Sequence, residues 1–94
     1  MSPQKVGPVL EAGEVAAALI AAIREGNADV EVVDRGSYLR VLCPERCEVT
    51  RAAIEGALGR PFHLPSDLEA VMPSFQGKIA VDEERVAWSW GRSE

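Results

Sequence analysis

Val30-Glu31-Val32-Val33-Asp34-Arg35-Gly36-Ser37-Tyr38-Leu39-Arg40-Val41-Leu42-Cys43 sets apolar and polar residues in alternation on both sides of a short polar break. Val30 and Val32, then Leu39, Val41 and Cys43, fall on one face of two strands, the period of two that a half-buried sheet requires. Asp34-Arg35-Gly36-Ser37 supplies the turn, with Gly36 at the position that needs a positive φ, so the segment reads as an antiparallel hairpin. Pro44 marks the end of its second strand. The opposite face carries Tyr38, Arg40 and Leu42, a mixed surface that is either solvated or covered by a partner. Tyr and Arg are both enriched among the residues that dominate protein interfaces.

Towards the N-terminus the period changes. Val15, Ala16, Leu19, Ile20 and Ile23 recur at helical spacing from Glu14 onward and form one apolar stripe, which ends near Gly26-Asn27. Burying Leu19, Ile20 and Ile23 contributes about 1.5–3 kcal/mol each, so these side chains are core. Val6 to Leu10 reads as a short edge strand, because Pro8 cannot donate to a ladder. Residues 1–5 read as a flexible end.

Towards the C-terminus the elements repeat in the same order. Glu48-Val49 makes a short strand, Thr50 is a suitable N-cap, and Arg51 to Leu58 carries Ile54 and Leu58 on one helical face. Gly59 stops that helix in the left-handed conformation, Arg60 is extended because Pro61 follows, and Phe62 plugs the core. Leu68, Ala70 and Met72 alternate as a strand, Gly77 to Val81 form the next, and Arg85 to Trp90 the last, with Asp82-Glu83-Glu84 as the turn between the final two. The fold class is therefore α+β: a duplicated β-α-β-β unit whose two small antiparallel sheets meet at an angle, with the helices filling the corner. Neither half is large enough to be stable alone, so residues 1–94 form a single domain.

Composition excludes several functions. The 94 residues leave little room for a buried active site, and their 15 acids against 10 bases give a net charge of −5, which argues against a nucleic-acid partner. No apolar run approaches the roughly 20 residues of a membrane helix, and no secretory signal opens the chain, so the expected location is cytoplasmic and away from any membrane. Cys43 and Cys47 form C-x3-C, neither a redox pair nor half of a zinc site; Cys43 reads as a core strand residue and Cys47 as a loop residue, both free thiols. The single histidine, His63, lies in a loop without a nucleophile beside it. Glu83 and Glu84 are adjacent in a turn, as solvated charge normally is. Catalytic, cofactor-binding and metal-binding residues are accordingly expected to be absent.

Four blocks carry a resemblance: Val6-Gly7-Pro8-Val9-Leu10, Val33-Asp34-Arg35-Gly36-Ser37-Tyr38-Leu39-Arg40-Val41, Leu58-Gly59-Arg60-Pro61-Phe62 and Ser74-Phe75-Gln76-Gly77-Lys78-Ile79. In order and spacing, over almost the whole chain, they resemble the small effector, or coupling, proteins of bacterial multicomponent diiron monooxygenases, and look nearest to the toluene and alkene systems. The resemblance implies a non-catalytic, cofactor-free protein that is monomeric when free. It implies docking on the diiron hydroxylase component, raising turnover, coupling and regioselectivity in the oxidation of an aromatic or alkene hydrocarbon. It also points to one docking face, from which Val6, Gly7, Pro8, Tyr38, Arg40, Arg60, Ser74, Phe75 and Gln76 are the expected partner-binding residues. The alternative is a small-ligand regulatory module of the ferredoxin-like kind, recognisable by a metabolite that raises its melting temperature.

Overall fold

The computed structural model describes residues 4–90. Strand β1 (Lys5–Glu11) leads into helix α1 (Glu14–Gly26), followed by β2 (Glu31–Asp34) and β3 (Tyr38–Pro44). Then come β4 (Arg46–Thr50), α2 (Arg51–Leu58), a one-turn helix α3 (Ser66–Glu69), and β5 (Ser74–Gln76), β6 (Lys78–Val81) and β7 (Arg85–Ser89). The duplication is visible in the strand order. In the first half β3 lies between β2 and β1, and in the second β7 lies between β6 and β4, so in each unit the last strand pairs antiparallel with both others.

The departure from symmetry is β5, which pairs with the far side of β1 and extends the first sheet to four strands in the order β2-β3-β1-β5. Gly77 then carries the chain from one sheet to the other at φ 100°. A Cβ at Gly77 would stand 2.6 Å from the Ser89 carbonyl oxygen and 2.7 Å from Val6 Cγ1, so only glycine fits this corner.

β1 is consequently an interior strand, which corrects the expectation of an edge. Its pairing with β3 couples Lys5 and Val6 to Pro44 and Cys43, skips Gly7 and Pro8, and resumes with Val9 opposite Arg40. The missing N–H of Pro8 thus falls where the ladder is already interrupted, and an interior proline is tolerated. Lys5 already belongs to this strand, and residues 1–3 of the expected flexible end lie outside the described residues.

Both long helices form where their periodicity places them. Leu19 and Ile23 of α1 and Ile54 of α2 are fully buried, in one cluster with Val6, Leu10, Val41 and Cys43 of the first sheet and Cys47, Val49, Val86 and Trp88 of the second. α1 ends through a side chain: Asn27 Nδ2 donates to the Ile23 carbonyl at 2.8 Å and to the Glu48 carbonyl at 2.8 Å, while Asn27 Oδ1 accepts the Glu48 N–H at 3.1 Å. One carboxamide therefore closes a helix and pairs with the free edge of β4. In α2, Thr50 Oγ1 accepts the Ala53 N–H at 3.1 Å, and Gly59, at φ 82°, donates to the Glu55 carbonyl at 2.8 Å. Phe62 is 2% exposed and fills the core as its position after Pro61 suggests.

Three further expectations are corrected. Cys47 is a fully buried residue of β4, since that strand starts at Arg46 and turns Cys47 inward beside Trp88. Contact with the Cys43 thiol and burial push the Cys47 thiol well up, so it serves as a small apolar filler. The Leu68-Ala70-Met72 alternation does not make a strand: Asp67 Oδ2 accepts the His63 N–H at 2.8 Å, Glu69 N–H reaches the Pro65 carbonyl at 2.9 Å, and the turn buries Leu68 alone while Ala70 stays exposed. The last strand ends at Ser89, leaving Trp90 exposed after it.

Candidate partner-docking face

The inner faces of both sheets are occupied by the core, and the outer face of the first sheet has no such cover. Register places Lys5, Val9 and Glu11 of β1, Glu31 and Val33 of β2, Tyr38, Arg40 and Leu42 of β3, and Ser74 and Gln76 of β5 on that outer face. None of these side chains is buried. The solvated face of an antiparallel sheet is commonly the more polar one. This one carries Val9, Val33, Tyr38 and Leu42, framed by a Lys5–Glu31 ion pair at 3.1 Å and by Arg40.

Along this face runs an open groove of about 800 Å³. β1, the strand between β3 and β5, contributes Val9 and Glu11; β3 contributes Tyr38 and Arg40; β5 contributes Ser74, Phe75 and Gln76; and Ala12, Ser37 and Pro73 complete it. Arg40 Nη2 donates to Gln76 Oε1 at 2.9 Å, so two side chains from strands flanking β1 meet across it. The contact leaves guanidinium N–H groups available to an incoming acceptor. Phe75 lies opposite Pro8 and so shares the other face of the sheet, but at the open edge it remains 40% exposed. Of the four large apolar side chains left exposed among the described residues, Tyr38 and Phe75 border this groove, and Val81 and Trp90 do not.

The expected partner-binding residues therefore separate into three groups. Tyr38, Arg40, Ser74, Phe75 and Gln76 come together in the groove. Val6, Gly7 and Pro8 are buried, because β1 is interior, and act only as the support under it. Arg60 lies elsewhere: its Nη1 pairs with Glu14 Oε2 at 3.1 Å, linking the segment after α2 to the start of α1, and both side chains are more than half exposed, so the pair stabilises little. Val9 and Glu11 belong to the groove and are not among the expected residues. Their signal is parity, since alternation from Gly7 along β1 brings both to the outer face.

The groove offers shape, apolar area and one residue of each charge, Glu11 and Arg40, without a histidine or a thiol. No group of three or more His, Cys, Asp or Glu residues capable of holding a metal ion occurs among the described residues. His63 is 72% exposed and its Nδ1 stands 3.4 Å from Asp67 Oδ2, a pair at the surface. No helix of the described residues is long and apolar enough to cross a membrane. What the arrangement does well is present contact area to a macromolecule.

Comparisons with known proteins find relatives over nearly the whole chain. The model of the MmoB/DmpM family matches residues 4–89. An alkene monooxygenase system effector subunit from Xanthobacter autotrophicus (strain ATCC BAA-1158 / Py2) is 41% identical over 90 residues, covering 94% of this chain and 88% of that protein. Two chains from structures of a phenol hydroxylase–regulatory protein complex share the fold, with TM-scores of 0.82 and 0.77. They are 23% and 24% identical and cover 94% and 93% of this chain and 100% of their own.

Proposed function

The chain belongs to the MmoB/DmpM family, and from that premise we propose that it is the effector subunit of a multicomponent monooxygenase, a non-catalytic component that binds the diiron hydroxylase and regulates it. The observation that carries this reading is the 41% identity to an alkene monooxygenase effector subunit over nearly the whole of both chains. The uncovered face of the first sheet supports it, since a protein that acts by contact needs a surface its own fold does not use. The substrate class of the hydroxylase is an alkene or an aromatic hydrocarbon, and the site of action is the cytoplasm.

An effector without chemistry of its own works through differential affinity. Equal binding to resting and active hydroxylase shifts nothing, whereas a tenfold shift of the equilibrium needs about 1.4 kcal/mol of preference for the active state. Tyr38, Arg40 and Gln76 are suited to supply it. Arg40 and Gln76 already hold each other in place, so docking costs less side-chain entropy, and Tyr38 adds a stiff amphipathic ring.

Titration of the protein into its cognate hydroxylase and electron-transfer components tests the reading. Product formation and the fraction of electrons recovered in product should both rise and saturate near one effector per active site. A flat response in both quantities contradicts it.

A further inference from the structure

Cys43 and Cys47, the two cysteines of the chain, flank the corner at which it leaves the first sheet for the second. Cys43 lies near the end of β3 and pairs with Val6; Cys47 lies near the start of β4 and pairs with Trp88. Both side chains turn into the core and are fully buried, whereas Glu45 and Arg46 between them are exposed. Glu45 makes the bend at φ 68° and is tied on both sides: its N–H donates to the Gln4 carbonyl at 2.6 Å, and its carbonyl accepts the Trp90 N–H at 3.0 Å. The bend folds C-x3-C back on itself so that the two thiols touch. Spacing in the sequence does not announce this contact, since it depends on the change of sheet.

Thiols buried singly in apolar surroundings are inert. Here each sulfur has the other as its neighbour, and the two are not equivalent. The Cys47 S–H donates to the Cys43 sulfur, which draws the Cys43 thiol below its ordinary range against the opposing effect of burial. The same contact, together with burial, holds the proton on Cys47. Cys43 is thereby suited to lose its proton and attack, and Cys47 to follow.

We propose that Cys43 and Cys47 are a peroxide-oxidisable dithiol, closed by hydrogen peroxide to a reversible disulfide that bonds β3 of the first sheet to β4 of the second. The Cys43 sulfur attacks one peroxide oxygen; the O–O bond breaks, and the leaving hydroxide departs as water with the thiol proton, which makes Cys43 a sulfenic acid. The Cys47 sulfur then attacks the Cys43 sulfur, the S–O bond breaks, and the hydroxyl leaves with the Cys47 proton as a second water. Together the thiols lose two electrons and two protons, and one peroxide becomes two waters. Hydrogen peroxide is small and uncharged, so it enters an apolar core that excludes an ionic oxidant. Such a bond is transient in a reducing cytoplasm. While it lasts, it ties the strand that carries Tyr38 and Arg40 to the second sheet.

Thiol counting and tryptic mapping of the folded full chain after exposure to excess hydrogen peroxide test the proposal. Trypsin cuts after Arg46, between the two cysteines, so a bridge appears as two joined peptides. The expected product is a monomer with Cys43 joined to Cys47, no thiol open to alkylation after denaturation, and both thiols regained with dithiothreitol. Its thermal midpoint should be at or above that of the reduced chain, because the sulfurs already touch. Cys47→Ala should stop at a sulfenic acid on Cys43 that dimedone traps, and Cys43→Ala should leave Cys47 unreacted over the same exposure. If neither variant folds, the parent chain decides alone. Two thiols retained in the folded parent overturn the proposal, and so does a bridge between two chains or one that forms only with loss of the fold.

Discussion

Gly7→Ala is expected to remove about 4 kcal/mol or more of the folding free energy, a large share of what a small domain has. A Cβ at Gly7 would overlap the carbonyl oxygen of Val41 and stand 2.9 Å from its carbonyl carbon. Those are backbone atoms of β3, the interior strand next to β1, so no side-chain rotation relieves the clash. Gly7 also holds φ 148°, a conformation that an L side chain rarely adopts. Strain of this kind combined with loss of strand pairing reaches the exceptional range of about 4 kcal/mol or more, against a total of about 5–15 kcal/mol for a small domain. Gly56→Ala is the control. Gly56 lies exposed in α2 with nothing within 4 Å of an added Cβ, and the same substitution there should stabilise by about 0.5–1 kcal/mol. Urea titration of the two variants measures both effects; an unperturbed midpoint for Gly7→Ala would contradict the described path of β1.

Tyr38→Ala combined with Arg40→Ala is expected to weaken binding to the hydroxylase about 30- to 150-fold, corresponding to about 2–3 kcal/mol for the removal of two anchors of the type that dominate interfaces. Both side chains stand on the uncovered face, so folding should be nearly unaffected. Within the chain the substitutions break the Arg40–Gln76 hydrogen bond, which lies at the surface. The effector concentration for half-maximal activation reports the change, with the thermal midpoint measured alongside. Glu25→Ala, exposed on α1 and outside the groove, should leave activation as it is. A double variant that activates at the parent concentration moves the docking surface away from the first sheet.

How far the sequence discloses this structure depends on the length of each pattern. α1 and the β2–β3 hairpin are legible because a helical stripe over Val15 to Ile23 and an alternation from Val30 to Cys43 each repeat enough times to exclude other periods. Three residues do not suffice. Leu68, Ala70 and Met72 imitate a strand, yet the Asp67 carboxylate caps a turn there, and of the three only Leu68 is buried while Met72 packs half-buried against the core and Ala70 is exposed. β5 leaves no signal for the opposite reason, since Ser74, Phe75 and Gln76 are all exposed and show no apolar alternation. Its partner is β1, more than sixty positions away in sequence, and the pairing that makes β1 interior is set by that long-range contact.

The site divides along the same line. Tyr38 and Arg40 can be found by parity, because Val41 and Cys43 claim the other face of β3. Ser74 and Gln76 come from the family resemblance and are brought to the same groove by β5, an element that local sequence does not announce. The resemblance also brings in Val6, Gly7 and Pro8, which are characteristic of the chain because they shape β1. In this fold they are buried in an interior strand, beneath the candidate face rather than exposed on it.

Hydroxyl-radical footprinting of the protein, free and in complex with its cognate hydroxylase, tests most directly whether the first sheet is the docking face. Tyr38, Phe75 and Trp90 are equally exposed in the free chain, 40% each, and only Tyr38 and Phe75 border the groove. Labelling of Tyr38 and Phe75 should fall on complex formation while that of Trp90 persists. Protection of Trp90 with Tyr38 and Phe75 still fully labelled would contradict the account.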